Sequence, residues 1–344
     1  MNLILPVAGG STRFPGTRPK WLLTHPRGNL MVFHAIKGFK LEEFETIYLV
    51  GREDTLTEDL ERGIYLAYEA IGYKNRFKIV KISPTQSQPE TIANCIMKEK
   101  IEGPIFIKDC DNFFSQNEFM PNSVSFAYLD EVEYINPGSK SYISLDERSV
   151  VTNIVEKHVI SNSFNVGGYC FQNARQFLST FEEIKSPNIY ISHIIYKMIL
   201  EGTIFRGIPT TNFLDWGTLE DWNKFKRRFK TIFIDLDGVL LINAGEFFHP
   251  DWTSSKPIKE NIDFLNSMDR EEVQIIITTT RPERFRKVTL ELIQKYNIPY
   301  DDIIFGLVHA ERILINDYAS TNPYPSALAV NIRRDSNNLK DYIK

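Results

Sequence analysis

LILPVAGGSTRFPGTRPK (Leu3–Lys20) is an apolar, β-branched run that breaks directly into a glycine-rich, basic loop. A strand that empties into such a loop marks the carboxyl edge of an open α/β sheet, where ligands of these sheets bind. Gly9 and Gly10, flanked by Ala8 and Ser11, let backbone N–H groups approach a polyphosphate closely and tolerate positive φ at little cost. Arg13 and Lys20 then add positive charge, one as a bidentate fork and one as a point charge. Further along, short apolar runs at Ile47–Val50, Phe77–Ile82 and Ile105–Ile107 alternate with helical patterns at Leu30–Phe39 and Leu56–Gly72. Strand followed by helix, repeated, predicts a mostly parallel, Rossmann-like sheet covered on both faces. From Val124 to Phe171 the pattern changes to short strands with Asn, Gly and Ser turns, predicting a mixed-sheet insertion. Helices resume at Asn173–Phe181 and Ile191–Glu201.

A second strand–loop of the same kind begins at TIFIDLDGVL (Thr231–Leu240), after a predicted helix over Thr218–Lys230. It opens another βα series, with helices at Glu260–Met268 and Arg284–Lys295 and strands at Val273–Thr278 and Ile313–Ile315. The chain therefore divides into two α/β domains, 1–229 and 230–344, with no Gly/Ser linker between them.

Composition narrows the function classes. The 344 residues suffice for two cores, and 42% hydrophobic with 24% charged residues is ordinary for a soluble globular protein. A net charge of −4 argues against a nucleic-acid binder. The cysteines, Cys95, Cys110 and Cys170, are odd in number and lack metal-ligand spacing, which fits reduced thiols. With no apolar run of membrane-spanning length and no signal-type N-terminus, the expectation is a cytoplasmic protein without membrane contacts. Homo-oligomerisation is left open.

The first loop resembles that of the sugar-phosphate nucleotidyltransferases, the pyrophosphorylase family, which reads GGxGTRxxPxTxxxPK. Other matches follow in the order the family requires. Gln86–Thr91 resembles the base-recognition loop and its helix, which implies nucleotide contacts for Gln86, Glu90 and Thr91. Asp109-Cys110-Asp111-Asn112 lies just after a strand, where the family places its Mg²⁺-binding Asp. Val155-Glu156-Lys157 is similar to VEKP, with His158 in place of Pro. Phe164–Tyr169 resembles the N-x-G-x-Y segment facing the acceptor, and Leu214–Thr218 resembles W-x-D-x-G-T, whose Asp is the second metal ligand. The resemblance implies Mg²⁺ on Asp111 and Asp215, pyrophosphate and α-phosphate on Arg13 and Lys20, and the acceptor's phosphate on Lys157. Asp109 is read as an outer-shell partner. The substrates implied are a nucleoside triphosphate, with CTP favoured because Gln86–Thr91 departs from GxAxA, and a phosphorylated sugar, polyol or similar small molecule. A DxD-bearing nucleotide-sugar glycosyltransferase shares this sheet and fits Asp109-x-Asp111 as well.

The second domain's hhhDxDG (Ile232–Gly238) resembles the first motif of the haloacid dehalogenase superfamily. That resemblance implies Asp235 as phosphoryl-accepting nucleophile, Asp237 as general acid/base, Thr279 (with Thr278 beside it) as the phosphoryl-binding hydroxyl, and Asp317 completing a Mg²⁺ site with Asp235 and Asp237. Asn316–Arg333, with its Asn-Pro-Tyr-Pro-Ser-Ala turn, is similar to small phosphatases encoded with capsule-synthesis enzymes. The superfamily's Lys is missing: the comparable stretch is Gly306–His309, with Lys287, Arg281, His309 or Arg312 as substitutes. The expectation is a bifunctional enzyme of surface-polysaccharide precursor synthesis. A transferase carrying a catalytically silent scaffold domain is the alternative.

Overall fold

The structure, a computed structural model, describes residues 1–72, 76–132, 135–184, 186–243, 252–317 and 326–343. The chain forms two compact units, Met1–Trp222 and Asn223–Lys344. The first is built on strands β1 (Asn2–Pro6), β2 (Thr46–Arg52), β3 (Arg76–Ile82), β4 (Ile105–Lys108), β5 (Asn112–Ser115), β6 (Ser123–Tyr128), β7 (Ser141–Leu145), β8 (Val151–Glu156), β9 (Ser163–Phe171), β10 (Arg206–Pro209) and β11 (Thr211–Asp215). Its helices are α1 (Met31–His34), α2 (Glu58–Glu69), α3 (Gln88–Glu99), α4 (Ala174–Ile184) and α5 (Ile191–Leu200).

The main sheet runs β10-β6-β9-β4-β1-β2-β3, with β7 on β9 and β8 on β7. Strands β4, β1, β2 and β3 are parallel, whereas β9 is antiparallel to both β4 and β6. The alternation therefore yields the parallel half, and the Val124–Phe171 insertion supplies the mixed half. β1 is central: Leu3, Ile4 and Leu5 are fully buried, each worth about 1.5–3 kcal/mol of burial. Their side chains alternate between two cores, Ile4 with the α3–α5 face and Leu3 and Leu5 with Phe33, Phe44 and Phe106 on the other.

Helix ends follow local chemistry. Thr57 and Ser87 accept from the backbone N–H of Leu60 and Glu90, capping α2 and α3. The helix expected over Leu30–Phe39 is only Met31–His34. Beyond it the backbone bonds tighten to Lys37→His34 and Phe39→Ile36, as Gly38 packs against the backbone of β5.

His25, in the turn before α1, and His34, the last residue of α1, are buried and stacked, with ring centroids 3.5 Å apart. Burial, with added repulsion from His34, Lys37 and Arg27, pushes His25 down to about 3; burial also takes His34 down to about 4. Both rings fold neutral, whereas the unfolded chain protonates them near the ordinary imidazole value. Their contribution is therefore complete above about 6.5 and lost as pH falls towards 4 and then 3. Urea titrations between pH 7 and 4 are expected to show an acid loss of stability that shrinks in His25→Gln/His34→Gln; an unchanged slope would refute the assignment.

The second unit contains α6's C-terminal end (α6, Leu219–Lys226), β12 (Lys230–Asp235), α7 (Lys259–Asn266), β13 (Val273–Thr278), α8 (Arg286–Lys295) and β14 (Asp302–Ile304). α6 stops before the expected Lys230, which already belongs to β12. β12, β13 and β14 are parallel in that order, around Ile234, Leu236, Ile275, Ile277, Leu292 and Ile303. The strand expected at Ile313–Ile315 does not form. The three side chains are 57–88% exposed in irregular backbone, so their apolar character finds no sheet to enter. Residues 322–325 of the expected turn lie outside the described residues.

Candidate active site

The strongest convergence of charge lies at the carboxyl edge of β1 and β4. After β1 the chain turns at Ser11, whose φ is 49; Gly9 and Gly10, which tolerate positive φ, do not adopt it. The Ser11 hydroxyl accepts from the Lys20 backbone N–H at 3.1 Å, and Phe14 N–H donates to the Ser11 carbonyl. This ties both ends of the loop together and leaves a cleft of about 300 Å³ lined by Gly9, Gly10, Ser11, Thr12 and Arg52, among others.

Lys20 Nζ reaches Asp111 Oδ2 at 2.5 Å and Arg13 reaches the same oxygen at 3.3 Å. Burial favours a neutral Asp111, but Lys20 and Arg13 outweigh it and hold the carboxyl well below the usual range. Asp109 goes the other way, raised by burial and by Asp111, although Gln88 donates to it at 2.6 Å. Two carboxylates two residues apart thus differ in charge affinity because only Asp111 is in direct contact with Lys20 and Arg13, while Asp109 feels Lys108 and Lys20 more weakly than its own burial and Asp111.

Asp215 is brought in by the β11–β5 pair, opposite Asn112, and Trp216 N–H donates to the Asp111 carbonyl at 2.9 Å. A Cβ on Gly217 would lie 3.0 Å from Asp215 Oδ1, 3.3 Å from Arg13 Nη1 and 3.8 Å from Asp111 Oδ2. Arg13, Asp111 and Asp215 therefore enclose one point. Lys157 is next door but turned outward, donating to the Tyr190 hydroxyl at 2.6 Å, while its backbone N–H meets the Lys140 carbonyl.

The three residues expected to contact the nucleotide lie at the start of α3. Glu90 reaches back to the Gln86 N–H at 2.7 Å and Thr91 bonds Thr85, so both secure the start of α3; Gln86 is exposed.

Sequence reasoning missed Lys140, Gln88 and Lys108. Lys140 pairs with Asp215 at 2.7 Å, both largely buried. Lys108 is fully buried, its ammonium held by the carbonyls of Asp109 and Asn112 and by Asn112 Oδ1; burial pushes it down to about 8. A lysine closing an otherwise apolar strand was the available signal. Gly167 has φ 83, and a Cβ there would sit 2.5 Å from Asp109 Oδ2, so the N-x-G-x-Y glycine is demanded by the carboxylate beside it.

No protein-family model matches the chain, and no curated protein matches it by sequence. Solved structures do. A nucleoside-diphosphate-sugar pyrophosphorylase from Vibrio cholerae RC9 superposes with TM-score 0.54 at 18% identity, over 65% of this chain and 98% of that one. An inositol-1-phosphate CTP transferase from T. maritima gives 0.51 at 16%, over 64% and 90%. A UDP-glucose pyrophosphorylase complexed with UDP-glucose gives 0.50 at 15%, over 64% and 95%. The N-terminal part of the chain has the pyrophosphorylase fold. The likeness reaches no further than that fold.

In the second unit Asp235 ends β12 and is in register with Thr278 of β13, not with Thr279. Thr278 donates its hydroxyl to the Ile234 carbonyl at 3.2 Å, whereas buried Thr279 accepts from the Arg281 N–H at 3.1 Å, which leaves its own O–H to donate. Burial pushes the Asp235 carboxyl up; Arg312, 3.4 Å away, opposes this, and Asp237 adds to it. Gly238, at φ 92, turns the chain out of the strand end. Asp237 is gripped bidentately by fully buried Arg281, at 2.8 and 2.6 Å, which also donates to Ser255 and Thr289. Asp317 is exposed, bonded to Asn316 and Ser326. Among the described residues no three His, Cys, Asp or Glu side chains are placed to share a metal ion. The expected trio Asp235, Asp237 and Asp317 is therefore not assembled, because Arg281 claims one member and the segment carrying another stays out of the sheet. No helix among the described residues is long and apolar enough to cross a membrane.

Proposed function

We propose that the first unit transfers a nucleotidyl group from a nucleoside triphosphate to a phosphorylated sugar, polyol or similar small molecule. The observation that carries this reading is Asp111 held between Lys20 and Arg13 at the mouth of the Gly9–Gly10 loop, with Asp215 beside it. An acceptor phosphate oxygen forms a bond to the α-phosphorus, and the bond to the β-phosphate bridging oxygen breaks with release of pyrophosphate. Little covalent chemistry falls to the protein; its task is to align two polyanions and neutralise them. Lys20 and Arg13 would pass from Asp111 to the α-phosphate and departing pyrophosphate. Lys157, with Lys140 beside its backbone, would meet the acceptor's phosphate.

The donor set fits a hard cation: two carboxylates and no soft ligand around one point. Asp111 and Asp215 would hold Mg²⁺, which supplies Lewis-acid neutralisation of phosphoryl oxygens.

CTP is the proposed donor, on the departure of Gln86–Thr91 from GxAxA. A thermal-shift panel of CTP, UTP, GTP, ATP and dTTP with Mg²⁺ is expected to show a selective gain, about 2.7 kcal/mol at 100 times the dissociation constant. A response to no triphosphate would sink the transferase reading and favour a nucleotide-sugar glycosyltransferase.

For the second unit the proposal is phosphate-monoester hydrolysis with Asp235 as nucleophile, supported by its position at the carboxyl end of β12 above the Gly238 turn. The acidic trio does not fit a metal as placed. Asp235→Asn is expected to remove phosphatase turnover on phosphorylated sugars while leaving nucleotide binding intact. Absence of turnover in the wild type would instead support the scaffold reading. The likeness of Asn316–Arg333 to capsule-linked phosphatases supports a place in surface-polysaccharide precursor synthesis.

A further inference from the structure

Asp215 leaves β11 with both of its oxygens engaged. Oδ1 accepts from the Gly217 N–H at 3.1 Å, and Oδ2 pairs with the Lys140 ammonium at 2.7 Å. The pair is sheltered: the Lys140 and Asp215 side chains are 15% and 10% exposed, against 52% for Arg13 and 22% for Lys20 on Asp111. Lys140 is also held from its own side. It directly precedes β7, its carbonyl accepts from the Lys157 N–H at 2.9 Å, and its ammonium lies 5.4 Å from the centre of the Phe213 ring. An exposed pair would be screened by salt and worth little, whereas a partly buried one is screened far less.

Cations in this cluster exceed what its carboxylates need. Lys20 and Arg13 meet Asp111, Lys140 meets Asp215, and Lys108 donates to the backbone carbonyl of Asp109. Asp109, Asp111 and Asp215 thus share four cations among them. Although burial works against its charge, Asp111 is held well below the usual carboxylate range by Lys20 and Arg13 and, from further off, by Lys140. Lys140 therefore faces both carboxylates proposed to hold the metal. An ion on Asp215 Oδ2 would stand within about 5 Å of the ammonium, where two positive charges sheltered from water repel strongly. Lys157, by contrast, turns its ammonium to the hydroxyl and ring of Tyr190.

We propose that Lys140 is the counter-ion that a divalent cation must displace from Asp215, so that the first unit resists the bare ion. This rests on the reading of Asp111 and Asp215 as the metal-holding carboxylates. A nucleoside triphosphate brings negative charge along with its ion and offsets the surplus of cations; a bare ion brings none. Lys140 is thus a positioning residue, acting through the carboxylate it occupies.

Electron paramagnetic resonance of free Mn²⁺, titrated with the full chain in the absence of nucleotide, tests this independently of turnover. Lys140→Met is expected to bind the ion about tenfold more tightly than wild type, and Lys140→Gln to shift in the same direction. Lys140→Arg, which keeps the charge, should stay close to wild type, as should Lys157→Met, which removes a charge from the adjoining turn. In an Asp215→Asn background the gain should vanish. Circular dichroism checks that each variant folds. Equal affinity in wild type, Lys140→Met and Lys140→Gln, with binding lost in Asp111→Asn, would overturn the proposal and leave the metal reading standing. A gain that persists in Asp215→Asn, or that Lys157→Met reproduces, would overturn it too, by tracing the effect to net charge. If no variant binds Mn²⁺ in a way that depends on Asp111 or Asp215, the metal reading falls and the proposal with it.

Discussion

Asp111→Asn is expected to lower pyrophosphate release by about 10²–10³-fold or more and to erase the stabilisation that a triphosphate with Mg²⁺ confers on the wild type. The substitution keeps the shape of the side chain and removes its charge. Lys20 and Arg13, which now share Asp111 Oδ2, lose their counter-ion, and Asp215 becomes the one carboxylate facing the enclosed point beside Gly217. Binding of the free triphosphate without Mg²⁺ should suffer less, because two cations freed from Asp111 still attract phosphate. That split between metal-dependent turnover and metal-free binding separates a ligand role from general damage. An Asp111→Asn protein with wild-type turnover would remove the foundation of the transferase proposal.

Arg281→Met is expected to cost about 3–5 kcal/mol, the usual penalty for orphaning half of a buried ion pair. Arg281 is wholly buried and Asp237 nearly so, and the guanidinium also donates to Ser255 and Thr289. Removing it strands a carboxylate and two hydroxyls in the interior of a unit organised around a three-stranded sheet. Hydrogen exchange measured on peptides spanning β12 and β13 should accelerate sharply. The double variant Asp237→Leu/Arg281→Met should recover most of the loss, since an apolar pair of similar bulk replaces a charged one at little net cost. If the double variant is no more protected than the single one, the ion pair is not what holds this region together.

The same contact bears on chemistry. A general acid/base must exchange its proton with a reacting group, and both Asp237 oxygens are occupied by Arg281. If Asp237 is the general acid/base, its proton must go to a lone pair that Arg281 does not use, or the ion pair must loosen during turnover.

Much of this was readable before any coordinate. Apolar runs of strand length alternating with amphipathic ones led to β1–β4 and to β12 and β13 within a residue or two. The shift to short strands after Val124 marked the mixed half of the sheet. The Gly9–Gly10 loop, Arg13 and Lys20 were nominated by residue type, Asp111 and Asp215 by the resemblance to the pyrophosphorylase motifs, and the fold brings them together. Expectations failed where a local pattern met a tertiary demand. The α1 helix is cut short because Gly38 must pass close to β5, and Ile313–Ile315 reads as a strand but has no partner in the sheet.

The chain's own pattern of apolar and polar residues determined the two α/β series and the loops that follow their first strands, because burial on a pleated surface has a period that shows locally. Which charge meets which was decided only by the tertiary structure. Lys20 and Asp111 are 91 positions apart, Lys140 precedes β7 of the main sheet while Asp215 ends β11, and Arg281 selects Asp237 over solvent. Such pairings depend on where distant strand ends converge, and on a burial that makes each unpaired charge too costly to keep. No periodicity in the sequence encodes that convergence.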